Sequence, residues 1–219
     1  MADRVDAVLE RLRRERTVVS RTDGSIHNLD PVAIGAEEGE ALARWVRDER
    51  AVRTLEVGLG YAVSTLYICG ALVDSREPAA RHVALDPYQT ARFSGCGVQL
   101  LEDAGVRQLV DLVEEESQLA LPRFVAERRR FDLAFVDGNH LFDGVFLDLV
   151  YLGRLVRPGG IVFVDDCQLP AVARAVSFVV KNLAWRGEDG STADPDHHWL
   201  VLRTADAPVE RSFDHFVDF

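Results

Sequence analysis

The apolar and polar positions of this chain alternate between two rhythms. Short apolar runs bounded by charged or turn-forming residues predict strands at Arg53–Val57, Arg81–Leu85, Leu109–Val113, Phe131–Val136 and Ile161–Val164. Between them, apolar residues recur at helical spacing over Tyr61–Leu72, Ser94–Ala104, Leu119–Arg129, Leu141–Val156 and Ala171–Leu183. Helices are also predicted at Asp3–Arg16 and Ala36–Arg50, and a late strand at His198–Thr204. This alternation specifies an α/β fold, a doubly wound, mostly parallel sheet with helices on both faces. The segment Ser20–Leu29 lacks periodicity, so it is expected to be a loop, either a cover over a site or a plain connector. No linker interrupts the pattern. The expectation is one domain over residues 1–219, with an N-terminal helix and possible lid (1–35), a core (36–204) and a C-terminal tail (205–219).

The stretch FDLAFVDGNHLFDGVFLDLVYLGRLVRPGGIVFVDDC, Phe131 to Cys167, reads as strand, loop, helix, turn and strand, with Pro158-Gly159-Gly160 expected to stop the helix. A right-handed crossover of this type makes the two strands parallel, so both end on one edge of the sheet. Ligands bind at that edge. Asp137, His140, Asp165 and Asp166 are therefore expected to converge there. Neighbouring strand ends lie roughly 4.8 Å apart, close enough for one cation to bridge the carboxylates.

Composition narrows the partners. The net charge of −11 argues against nucleic acid, which needs clustered Lys and Arg. No apolar run approaches the roughly 20 residues of a membrane span, and Met1–Arg14 is charged and amphipathic rather than a signal peptide. Cys69, Cys96 and Cys167 are isolated, as fits a reducing, cytoplasmic setting.

In Thr54-Leu55-Glu56-Val57-Gly58-Leu59-Gly60-Tyr61, two glycines fall on the turn between a strand and a helix. There a ligand can approach the backbone and meet free N–H groups. Asp86 closes the next strand, 26 residues after Gly60, placed to accept hydrogen bonds from ribose hydroxyls. The third glycine of GxGxxG is absent, since position 63 is Val, which favours a ligand without a pyrophosphate.

Together, TLEVGLGYAVSTLYI, LDPYQ, the Ser-Gln pair of VEEESQ and FVDGNH…PGGIVFVDD resemble class I S-adenosylmethionine-dependent methyltransferases. More narrowly, they are similar to the metal-dependent O-methyltransferases of the catechol and macrocin-like natural-product types, over about Glu37 to Val201. The resemblance implies a Rossmann-like, seven-stranded sheet with a late antiparallel strand. By position, Glu56, Gly58 and Gly60 would line the methionine part of S-adenosylmethionine, with Ser64 near its carboxylate. Asp86 would hold the ribose, Ser117 and Gln118 would face the adenine, and Asp137 would border both cofactor and metal. Asp137, Asp165 and Asp166 would ligate Mg²⁺, or Mn²⁺ or Ca²⁺, all hard ions suited to oxygen donors. Gly60-Tyr61-Ala62 departs from the family, whose small residues often come in another order.

Methyl transfer from a sulfonium requires an acceptor oxygen held in line and activated. His140 stands where the catechol-type family has a lysine base. With an ordinary pKa of about 6.5, its imidazole suits that task near neutral pH. The expected acceptor is a small hydroxylated molecule, phenolic or a sugar or other natural product. Two alternatives stay open: a catalytically silent module of the same fold, and a nicotinamide-dependent oxidoreductase. His27 is a candidate acceptor contact. His197 and His198 are adjacent on a strand and face opposite ways, so they are assigned to structure or the site wall. Asp143 and Asp148 are read as solvent or dipole partners rather than ligands. The tail Phe213–Phe219 is expected to pack on this chain or on a partner subunit, which makes a homodimer plausible.

Overall fold

The computed structural model describes residues 2–189, 199–207 and 209–219, in two compact units, Met1–Glu116 and Ser117–Phe219. The first contains α1 (Ala2–Glu15), a hairpin of β1 (Thr17–Val19) and β2 (Ile26–Asn28), α2 (Ala36–Asp48), β3 (Arg53–Val57), α3 (Val63–Ser75), β4 (Arg81–Leu85), α4 (Cys96–Ala104) and β5 (Val110–Val113). The second contains α5 (Ser117–Ala126), β6 (Phe131–Val136), α6 (Phe142–Leu155), β7 (Val156–Val164), α7 (Pro170–Asn182), β8 (Arg186–Gly187) and β9 (Leu200–Arg203). Among the described residues, seven strands form one sheet, ordered β5-β4-β3 in the first unit and β6-β7-β9-β8 in the second. In the first unit β3, β4 and β5 run parallel, and in the second β6 and β7 do, while β9 is antiparallel to both β7 and β8. This is the mostly parallel sheet expected from the alternation, with the late antiparallel strand that the resemblance implies.

Strands covered on both faces need apolar residues at nearly every position rather than at alternate ones. Leu55, Val57, Val83, Ala84 and Leu85 in the first unit are accordingly buried, as are Leu133, Phe135, Val162 and Phe163 in the second. α1 is amphipathic and buries Val5, Val8, Leu9 and Leu12.

The segment expected to be a loop, Ser20–Leu29, is instead the turn and second strand of the hairpin. Three-residue strands are too short to show alternation, which is why the pattern concealed them. β7 also starts earlier than expected. α6 ends at Leu155, and Pro158-Gly159-Gly160 lie inside the strand, not in a turn. They form a bulge, where the register jumps from Phe131 opposite Val156 to Leu133 opposite Ile161. Gly160 is required there, since a Cβ would lie 2.6 Å from Val156 Cγ1 and 2.7 Å from the Asp132 carbonyl oxygen.

In the second unit the tail packs on the helices. The Asn182 side chain both donates to the Val217 carbonyl and accepts from its N–H, each at 2.9 Å. Phe219 meets Phe178 edge-on at 5.0 Å, with the Arg174 guanidinium 5.1 Å above its ring. His197 and His198 lie outside the described residues. Among the described residues, no helix is long and apolar enough to cross a membrane.

Candidate active site

The first unit builds a tightly bonded glycine turn at the end of β3. Gly58 (φ +98°) and Gly60 (φ +51°) adopt backbone conformations that side chains disfavour. Ala62 does so too (φ +60°), and it caps α3 where glycine would be unstrained. The Asp86 carboxylate, at the end of β4, accepts from the Gly60 N–H at 2.8 Å and from the Tyr88 N–H at 2.8 Å. Gln89, almost fully buried, donates from Nε2 to the Gly60 carbonyl at 2.7 Å and to Asp86 at 2.9 Å. Asp86 is 3% exposed. The acid expected to meet a ribose therefore also fixes the turn before it. Sequence reasoning missed the part played by Gln89, because nothing in a lone Gln announces a bridge between a backbone carbonyl and a buried carboxylate.

Glu56 is completely buried beneath this turn. Ser64 and Thr65, in the first turn of α3, donate their hydroxyl hydrogens to its two oxygens, and His82 Nε2 lies 3.0 Å from Oε2. His82 Nε2–H donates to the carboxylate, which leaves Nδ1 to accept from the Thr54 hydroxyl at 2.9 Å. Glu56 and Ser64, both expected beside the methionine part of the cofactor, thus pair with each other in the interior. The signal that could have revealed this was His82 in an otherwise aliphatic strand.

The second unit gathers the acidic groups. Asp137 follows β6, and Asp165 and Asp166 follow β7, so the crossover brings their backbones to one edge. His140 Nε2 lies 3.0 Å from Asp166 Oδ2 and 3.4 Å from Asp137 Oδ1. One ligand atom from each of Asp137, His140 and Asp166 falls within 4.8 Å of the others. Asp165 turns one oxygen to the Asp166 N–H at 2.6 Å, and its charge still acts on Asp137. Burial pushes the Asp137 carboxyl up to about 7. The His140 hydrogen bond opposes this rise, whereas Asp165 and Asp166 add to it. His140 is pushed up, chiefly by the hydrogen bond to Asp137, against the opposing effect of its own burial. The imidazole side chain remains 40% exposed and can meet a solute.

Ser117 and Gln118 open α5, Ser117 half-buried and Gln118 exposed. Near Ser117 lies an acid whose expected place was beside solvent or a helix dipole. Asp148 on α6 is 1% exposed, and neither carboxylate oxygen has a hydrogen-bond partner. Burial raises its pKa to about 6, offset in part by the nearby Ser117 hydroxyl. In the first unit, both ring nitrogens of His27 face side chains, Nε2 that of Ser25 and Nδ1 that of Tyr61.

Comparison with known proteins places this geometry in a class. A methyltransferase-domain family matches residues 55–167, which include the glycine turn, Asp86 and the acidic cluster. The chain belongs to that family. A caffeoyl-CoA O-methyltransferase of Populus kitakamiensis is 25% identical over 159 residues, 72% of this chain and 63% of that one. A protein of Arabidopsis thaliana named for the caffeoyl-CoA O-methyltransferases is 25% identical over 139 residues, 64% of this chain and 56% of its own length. The chain thus spans less than two thirds of either curated relative. Two solved structures share the fold. One is an O-methyltransferase of Streptomyces achromogenes involved in tomaymycin synthesis, in complex with SAM (TM-score 0.68, 22% identity, 94% of this chain and 90% of that one). The other is an O-methyltransferase of Bacillus cereus in complex with SAH (TM-score 0.70, 15% identity, 93% and 90%).

Proposed function

We propose that this chain transfers a methyl group from S-adenosylmethionine to a hydroxyl of a small molecule, phenolic or of the sugar and natural-product kind, with a divalent cation at the acidic cluster. The observation that carries this reading is the grouping of Asp137, His140 and Asp166 in a chain of the methyltransferase family. In the first unit the N–H groups around Gly58–Ala62 and the Asp86 carboxylate suit the aminoacyl and ribose parts of the cofactor. In the second, Ser117 and Gln118 suit its adenine.

The donor set fits a hard cation, being carboxylate oxygens at one sheet edge, with Asp137 lifted above its ordinary range by burial and further by Asp165 and Asp166. Asp137, Asp165 and Asp166 would hold Mg²⁺, Mn²⁺ or Ca²⁺. Such an ion, when bound, would lower the pKa of an acceptor hydroxyl and orient it. His140 supplies the base. Asp137 and Asp166 raise its proton affinity, and its exposed imidazole takes the acceptor's proton as the oxygen attacks the methyl carbon. The carbon–sulfur bond breaks in the same step, leaving S-adenosylhomocysteine.

The test is calorimetric titration with S-adenosylhomocysteine, followed by transfer of labelled methyl to a panel of catechols and hydroxylated natural products with Mg²⁺ or chelator. Binding, together with metal-dependent transfer that Asp137→Ala abolishes, is the expected result. Absence of S-adenosylhomocysteine binding, or full transfer in excess chelator, overturns the corresponding part.

A further inference from the structure

The hairpin before the family-matched region carries a line of hydrogen bonds that ends on the glycine turn. The Ser25 hydroxyl donates to Asp23 Oδ1 at 2.5 Å, so it has no second hydrogen for His27 Nε2, which lies 2.8 Å away. His27 Nε2–H therefore donates to Ser25, and Nδ1 is left as an acceptor. The Tyr61 hydroxyl, 3.4 Å from Nδ1, supplies the hydrogen. Tyr61 directly follows Gly60 and is 8% exposed. Its ring is held edge-on between His27, at 5.9 Å, and Phe93, at 5.1 Å.

Anchoring the hairpin does not require this pair. Ser20 donates to the Ser94 carbonyl at 3.1 Å, and the Ser94 hydroxyl returns a bond to Asp23 at 3.0 Å. The Arg21 N–H donates to Gln99 at 2.8 Å, and Gln99 donates to the Val19 carbonyl at 2.9 Å. Arg21 also pairs with Asp103. Val32, just beyond β2, has Cγ1 only 3.0 Å from where a Cβ on Gly60 would stand. The hairpin is thus fastened to the α4 side by its tip and first strand, while His27 is directed at the turn.

We propose that His27 is a positioning residue for the cofactor turn: through Tyr61 it fixes the Gly58–Ala62 backbone, which makes the N-terminal hairpin part of the cofactor site. This deepens the proposed function and rests on it. A single net hydrogen bond of the usual strength corresponds to about three- to tenfold in affinity. Calorimetric titration of S-adenosylhomocysteine into wild type, Tyr61→Phe, His27→Ala, His27→Asn and the Tyr61→Phe/His27→Ala double variant is the experiment, with melting temperatures recorded beside it. Each of Tyr61→Phe and His27→Ala is expected to weaken binding about three- to tenfold. The double variant should be no weaker than the worse single one, and His27→Asn should recover most of the loss. KM for the methyl donor should rise while kcat stays within about twofold. Unchanged affinity in Tyr61→Phe, fully additive losses, or a lowered melting temperature with unchanged affinity would each overturn the positioning role. If wild type itself fails to bind S-adenosylhomocysteine, the cofactor reading falls first.

Discussion

His140 Nε2 stands 3.0 Å from Asp166 Oδ2, although 26 residues and an entire helix separate the two along the chain. The crossover β6–α6–β7 makes the encounter, and Asp137 Oδ1 approaches the same ring nitrogen at 3.4 Å. Two carboxylates at one nitrogen raise proton affinity and orient the imidazole, as a base requires. His140→Ala should therefore lower kcat by about 10²–10⁴-fold, a usual range for loss of a general base. S-adenosylhomocysteine affinity should stay within about twofold, which calorimetry would check.

The raised pKa of Asp137 fixes a pH dependence. Its folded value, about 7, exceeds the ordinary carboxylate value, so the folded state binds this proton more tightly than the unfolded one. The stabilisation this provides is complete below about pH 4 and lost as pH rises through about 7. His140, also raised, contributes with the same sign and loses its part above its ordinary value. A divalent cation competes with these protons. Thermal unfolding with and without Mg²⁺ should thus show a larger metal-induced rise in Tm at pH 8 than at pH 5.5, and Asp137→Asn should remove most of it. Equal shifts at both pH values would count against the cation site.

Asp148 makes the opposite kind of prediction, a gain from a loss. Its carboxylate is buried on α6 without a hydrogen-bond partner, and burial lifts its pKa to about 6. The stability linked to this proton is present at low pH and lost as pH rises through about 6. Asp148→Asn removes the ionisation, so it should stabilise the protein at pH 8 by about 2–3 kcal/mol, the linkage cost of ionising a carboxyl whose pKa is raised to about 6. The advantage should shrink towards pH 5. Thermal unfolding at both pH values decides it, and a destabilised Asp148→Asn at pH 8 would mean that the charge itself is needed.

His82→Leu tests the interior network. The substitution fits the aliphatic strand but strips Glu56 Oε2 of its Nε2–H donor and leaves the Thr54 hydroxyl without its acceptor. Loss of about 1–3 kcal/mol is expected, with the rest of the network retained. Chemical denaturation should report a lower midpoint at an unchanged slope.

Much of this was legible in the sequence for physical reasons. The regular alternation gave β3, β4 and β6 to the residue, because strands buried on both faces leave continuous apolar runs. The convergence of Asp137, His140 and Asp166 followed from the crossover, which makes the two strands parallel and ends both on one edge. What stayed hidden depends on contacts rather than on pattern. Two three-residue strands carry too few positions to alternate, and Pro158-Gly159-Gly160 read as a helix stop because a bulge uses the same residues as a turn. Asp148 looked like a surface charge, since nothing in its helix records that α5 packs over it. Glu56 and Ser64 lie together in the motif, yet their pairing needs the geometry of one helical turn behind a strand.

The polar pair between β3 and β4 has a consequence for how the first unit assembles. Thr54 stands opposite His82 in the ladder, and Glu56 two positions along takes the other ring nitrogen. Sliding β4 by one step would flip the imidazole to the far face and strip the buried carboxylate of one of its three side-chain partners. Aliphatic strands tolerate many alignments almost equally. Here a single acid and a single imidazole act as a keyway that admits one.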